Sequence, residues 1–136
     1  MFVRSKIEVC DWFLNKGDDV RSSNALEDAA TEFDVQGLEL DWTYVAWDLN
    51  LRRANGWQAR RFHGTVWQNI RETDSLGRAD YVRNAYRVLL TRARQGMVIF
   101  VPRGDPADST RPPADYDEID DWLTACGIAS LDAPPA

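Results

Sequence analysis

Lysine is almost missing from this chain: 136 residues include two, Lys6 and Lys16. Neither sits in a GxxxxGK[ST] loop, so the chain carries no lysine-bearing cradle for the β- and γ-phosphates of a nucleotide. Nor do paired carboxylates follow a buried strand in the order that would complete such a site. Histidine occurs once, His63, with no ligand set at metal spacing around it, so no metal centre is expected. The two cysteines, Cys10 and Cys126, form neither a metal pattern nor a disulfide framework, which suits free thiols in a cytoplasmic chain. No apolar run approaches the roughly 20 residues of a membrane helix. Arg4, Lys6, Glu8 and Asp11 charge the first fifteen positions, against a secretory signal. A membrane is therefore not an expected partner.

What is present is a core and a segregated charge. Apolar residues make up 44% of the chain and include six tryptophans, enough for one ordered domain at this length. The net charge is −6, but its distribution is uneven. Residues 1–49 hold 4 basic and 11 acidic side chains, residues 50–111 hold 12 and 5, and residues 112–136 hold 6 acidic and none basic. All twelve central cations are arginine. Arginine binds phosphate in a bidentate fork and stacks on flat rings, so the middle of the chain is a candidate polyanion-binding face. Plain solubilising arginines would give the same composition.

The pattern along the chain is strand, turn, strand, insertion, helix, strand, helix. Residues 1–19 read as a lead-in, with Ile7–Asn15 too densely apolar to separate helix from strand. A short strand is expected over Ala29–Phe33, a turn at Gln36-Gly37, and a second strand over Thr43–Trp47 whose apolar character suits cover on both faces. Asn55-Gly56 and the partial alternation from Trp57 to Ile70 suggest an inserted hairpin. A helix from Asp80, with Tyr81, Ala85, Val88 and Leu89 at helical spacing, is expected to run to Gly96. The strand Met97–Val101 and a helix Tyr116–Cys126 follow, with Ile119, Trp122 and Leu123 inward. Residues 20–128 would form the folded domain and 129–136 a flexible tail. The class is α/β with a mostly parallel sheet flanked by helices.

Two segments carry candidate chemistry. In Gln36-Gly37-Leu38-Glu39, a glycine after an element end lets backbone N–H groups approach an anion, and the carboxylate can take a ribose hydroxyl or a metal-bound water. A tight turn with a solvated glutamate reads the same way. In Thr91-Arg92-Ala93-Arg94, an arginine before a buried strand sits at the ligand edge of an open sheet, where it can neutralise a transferring phosphoryl group. An arginine paired with a helix's negative end gives the same pattern.

Together the segments are more specific. ATEFDVQGLELDW and NAYRVLLTRARQGMVIFVP resemble motifs V and VI of superfamily-1 helicases, and their wording is similar to the Schlafen-like (group 3) DNA/RNA helicase family over roughly residues 20–127. The resemblance implies a second RecA-like domain of the P-loop NTPase type. It places Gln36, Gly37, Glu39 and Thr91 at the nucleotide, Arg92 as a catalytic arginine finger, and Thr31 on the nucleic-acid backbone. ATP and Mg2+ would be held by an N-terminal Walker A domain supplied in cis or in trans, so the chain alone is not expected to bind them or to hydrolyse ATP. One departure stands out: Phe33 and Asp34 occupy places where many relatives carry His and Lys, and Asp34 repels phosphate.

Nucleic acid, single-stranded DNA or RNA, is the second expected partner. Arg60, Arg61 and Trp57 are its candidate contacts, with Arg52, Arg53 and Trp67 nearby, since arginine and exposed rings hold single strands. Trp42 and Trp47 read as core. Asp115, Asp117, Glu118, Asp120 and Asp121 lack cation-loop spacing and read as a solvated helix face. The competing function is a non-catalytic nucleic-acid or protein binding module.

Overall fold

The computed structural model describes residues 6–131. The first five residues of the lead-in and positions 132–136 of the expected tail lie outside the described residues. The chain divides into two compact units, Met1–Thr43 with Tyr86–Gly96, and Tyr44–Ala85 with Met97–Ala136. No described helix is long and apolar enough to cross a membrane.

In the first unit, helix α1 (Val9–Leu14) resolves the ambiguous apolar segment. Its exit is tied down by Ser22, 1% exposed, whose hydroxyl donates to the Asn15 carbonyl at 2.8 Å. The expected strand over Ala29–Phe33 is instead a helical turn, α2 (Glu32–Val35). The reason is local: the Asp34 carboxylate accepts from both the backbone N–H (2.8 Å) and the hydroxyl (2.7 Å) of Thr31, which pins the helix start. Gly37 then turns the chain with φ +85°, a left-handed conformation that favours glycine.

Strands β1 (Leu40–Ala46) and β5 (Ala93–Phe100) form a two-stranded sheet. Leu40 N–H bonds to the Arg92 carbonyl (3.0 Å) and Trp47 N–H to the Phe100 carbonyl (2.9 Å), so the strands run parallel. Along β1 Val45 is buried whereas Trp42 and Tyr44 are exposed, so the strand is covered on one face rather than two. Tyr44 stacks on Phe100 at 6.1 Å. Helix α3 (Arg78–Leu89) ends well before Gly96, which lies inside β5. The chain is already extended at Arg92, where its carbonyl joins the sheet, and Gly96 serves packing instead: a Cβ there would lie 2.4 Å from the Trp42 ring. The buried positions of α3 are Ala79, Val82 and Tyr86, one register away from the expected stripe, leaving Tyr81 exposed.

In the second unit, β2 (Leu51–Arg53), β3 (Trp57–His63) and β4 (Val66–Asn69) form an antiparallel meander. The expected insertion is therefore present as two consecutive hairpins. Asn55 (φ +48°) and Gly56 (φ +121°) make the first turn, and Gly64 (φ +61°) the second. The expectation of a mostly parallel sheet holds only for β1 and β5, because connections this short can join only antiparallel neighbours. Helix α4 (Pro113–Ala125) starts with proline in its first turn and buries Tyr116, Ile119 and Leu123. With Trp47, Leu49, Leu51 and Ala59 these belong to the core of the unit.

Candidate functional site

The turn after α2 and the corner after α3 meet in the first unit, and the backbone makes the junction. Leu38 N–H closes the turn on the Val35 carbonyl at 3.0 Å, and two residues later Leu40 enters the sheet against Arg92. Gly37 and Glu39 on one side, and Thr91 and Arg92 on the other, are thereby drawn to the same sheet end. Gln36 and Gly37 are exposed, and a Cβ on Gly37 would meet nothing within 4 Å, so the turn presents open backbone.

Arg92 lies along this junction. Its Nη1 donates to the Leu38 carbonyl at 3.4 Å, its Nε to the Val88 carbonyl at 3.2 Å, and its Nη2 to the Thr91 hydroxyl at 3.3 Å. All three bonds are long, so they hold the guanidinium weakly. The Thr91 hydroxyl donates to the Arg87 carbonyl at 2.7 Å, which closes the last turn of α3. Glu39 has a cation at its edge, Arg94, at 3.9 Å with both side chains mostly exposed, an arrangement worth little in water. The exposed Thr31 hydroxyl donates to the Asp34 carboxylate, so its proton is committed to the start of α2.

The second unit holds the other sequence candidates, and it separates them. Arg60 is not a surface cation: its Nη1 and that of Arg52 share one oxygen of Asp115, at 3.0 and 2.8 Å. Only 14% of the Arg60 side chain and 14% of the Asp115 side chain is exposed. Burial, and then the neighbouring Arg52 charge, push the Arg60 guanidinium below its ordinary value while Asp115 pulls it back up. The sequence grouped Asp115 with the solvated acidic residues of its helix, but the fold turns it inward while Asp117, Glu118, Asp120 and Asp121 stay exposed.

Trp57 is packed rather than displayed. Its ring stacks on Trp47 at 5.7 Å, meets Trp122 edge-on at 4.7 Å, and carries the Arg53 guanidinium at 5.7 Å. Trp67 donates its indole N–H to the Thr110 carbonyl at 2.8 Å and lies under the Arg60 guanidinium at 5.7 Å. Arg61 is exposed, with one bond to the Gln68 side chain at 3.2 Å. Beside it stands Phe62, 51% exposed, which sequence reading passed over. His63 is also exposed, and no group of metal-ligating side chains occurs among the described residues. Tyr116 is buried and donates to Asp48 at 3.3 Å, and burial followed by the Asp48 charge raises its phenol above the ordinary value.

The family model for the Schlafen group 3, DNA/RNA helicase domain, matches residues 3–103. The chain belongs to this family. The match takes in the Gln36–Glu39 turn, the Thr91-Arg92 corner and all three strands of the meander, and helix α4 lies beyond it. In this Schlafen group 3 chain the Asp115 clamp on Arg52 and Arg60 thus comes from outside the matched span. No curated protein and no solved structure matches the chain.

Proposed function

We propose that this chain is the second, RecA-like half of a Schlafen group 3 ATP-dependent DNA/RNA helicase, with residues 20–128 as its folded domain and the two segments described above as motifs V and VI. The observation that carries the reading is the junction at Leu40 and Arg92, which gathers Gly37, Glu39, Thr91 and Arg92 at one sheet end. Both segments lead into the amino ends of β1 and β5, not the carboxyl ends where open α/β sheets commonly bind ligands, so the reading rests on the convergence of these groups and not on the sheet-edge expectation. A Walker A domain, in cis or in trans, would hold ATP by its phosphates together with Mg2+. From this half, Arg92 would leave its three long bonds and neutralise charge on the γ-phosphoryl group. Gly37 leaves the turn open to the nucleotide, Glu39 offers a carboxylate to its ribose, Gln36 flanks the opening, and Thr91 holds the corner on which Arg92 stands.

Arg92→Ala in the complete protein should remove most turnover, on the order of a thousandfold or more, and leave ATP binding nearly intact. Unchanged turnover would remove Arg92 from the catalytic role. Arg92→Lys should not restore it, since an ammonium is a single point charge rather than a planar fork.

The second reading, a non-catalytic nucleic-acid or protein binding module, is favoured by one observation of its own. Between Asp48 and Glu72 lie five arginines and no carboxylate. Affinity for single strands without ATP, falling with salt, would support it.

A further inference from the structure

We propose that the tip of the β3–β4 hairpin is a single-strand binding site in which the Phe62 ring stacks on a nucleobase and Arg61 takes the adjoining phosphate. The inference rests on the nucleic-acid reading above and moves the contact from Trp57 and Arg60 to residues that the structure leaves accessible.

Register comes first. Phe62 pairs directly with Trp67, His63 with Val66, and Arg61 with Gln68. Alternation puts Arg60, Phe62 and Trp67 on one face of the ribbon and Arg61 and His63 on the other. On the first face the side chains form a graded row. Arg60 is neutralised by Asp115 at its inner end, Trp67 is anchored through its indole N–H to Thr110, and Phe62 closes the row with its ring edge-on to Trp67 at 5.1 Å. A ring held at a defined angle by a fixed neighbour and still 51% exposed has its orientation set before any ligand arrives. That lowers the ordering cost of stacking.

Charge decides the occupant. The segment between Asp48 and Glu72 contributes no carboxylate, and Asp115, which reaches it from α4, serves Arg52 and Arg60. Arg61 keeps its charge at the surface with a neutral amide as its bonded neighbour. An aromatic ring beside an uncompensated guanidinium, on a ribbon only two strands wide, suits a base on one face and a phosphate at the other as a strand crosses the tip. A protein partner that buried Phe62 would need an acidic group for Arg61 as well. A nucleic-acid strand supplies ring and anion at every nucleotide.

The test uses the whole chain and fluorescein-labelled oligodeoxythymidine and oligouridine of about 20 nucleotides, followed by anisotropy against salt. Phe62→Leu keeps an apolar contact for Trp67 and removes the π face; it should weaken binding roughly 5-fold or more, while Phe62→Tyr should bind as the native chain does. Arg61→Gln should lower the slope of log affinity against log salt by about 0.7, the loss of one phosphate contact. Native-like binding by Phe62→Leu, with the native chain binding well, would overturn the hairpin site and leave the broader nucleic-acid reading standing. No binding by the native chain at low salt would overturn both. Equal losses in Phe62→Leu and Phe62→Tyr would show a packing role and also overturn the site.

Discussion

Asp115→Ala removes one carboxylate and leaves two cations without a counterion. Asp115 Oδ2 accepts from Arg52 at 2.8 Å and from Arg60 at 3.0 Å, with the arginine side chains 22% and 14% exposed. At an effective dielectric near 20, each pair with charge centres about 4 Å apart is worth about 4 kcal/mol gross. The cost of desolvating the carboxylate, several kcal/mol, offsets much of this, and residual solvent contact screens the remainder. Truncation leaves the positive charges facing each other, and the Nε atoms of Arg52 and Arg60 already have no acceptor. The net loss should be about 3 kcal/mol, at the lower edge of the roughly 3–5 kcal/mol typical of breaking a buried pair. For a domain of this size that corresponds to a fall in Tm of roughly 10 °C. Arg52→Met, which leaves Arg60 paired with Asp115, should cost only about 1 kcal/mol. Urea denaturation of the two variants reads the asymmetry directly. Equal costs, or an Asp115→Ala loss below about 0.5 kcal/mol, would refute the shared clamp.

Gly104→Ala should destabilise by about 2 kcal/mol or more, measured by the same denaturation. Its φ is +73°, and a Cβ there would lie 2.7 Å from the Arg111 carbonyl and 2.8 Å from the Pro113 Cα, backbone atoms that cannot swing aside. Stability should also fall in acid through two surface carboxylates. Asp19, bonded to the Arg21 side chain and backbone, and Asp74, bonded to those of Arg78, are each held at about 2, below the ordinary 3.8. A depressed folded-state value contributes stability that is fully present above the unfolded value and is lost as pH falls through the folded one, so the urea midpoint should decline between about pH 4 and 2. In the Asp19→Asn/Asp74→Asn variant that decline should be shallower; an unchanged slope would assign the acid loss to other groups.

Elements whose signals are local were legible in the sequence. The turn at Asn55-Gly56, the inward stripe of α4 and the glycine turn at Gly37 depend on backbone geometry and side-chain period, which nearby residues fix. The helical turn at Glu32–Val35 was also locally encoded, since Thr31 and Asp34 stand at capping-box spacing, but the apolar residues around it suggested a strand. Gly96 shows the opposite case. As a residue after arginines it reads as a helix stop, yet the ring of Trp42, more than fifty positions earlier, accounts for it.

By itself the sequence determined the family, the α/β class, the absence of a lysine phosphate loop from these residues, and the two segments that meet at Leu40 and Arg92. Those properties reside in residue identity and short-range spacing. Only the tertiary structure decided which aromatic and which arginine remain accessible. Trp57, Arg60, Arg61 and Phe62 lie within six positions, and composition cannot rank them. Partners distant in the chain do: Trp122 covers Trp57, Asp115 neutralises Arg60, and Thr110 anchors Trp67, leaving Phe62 and Arg61 at the surface. Burial and charge compensation are set by contacts between residues far apart in sequence, and they come into being only when the chain folds.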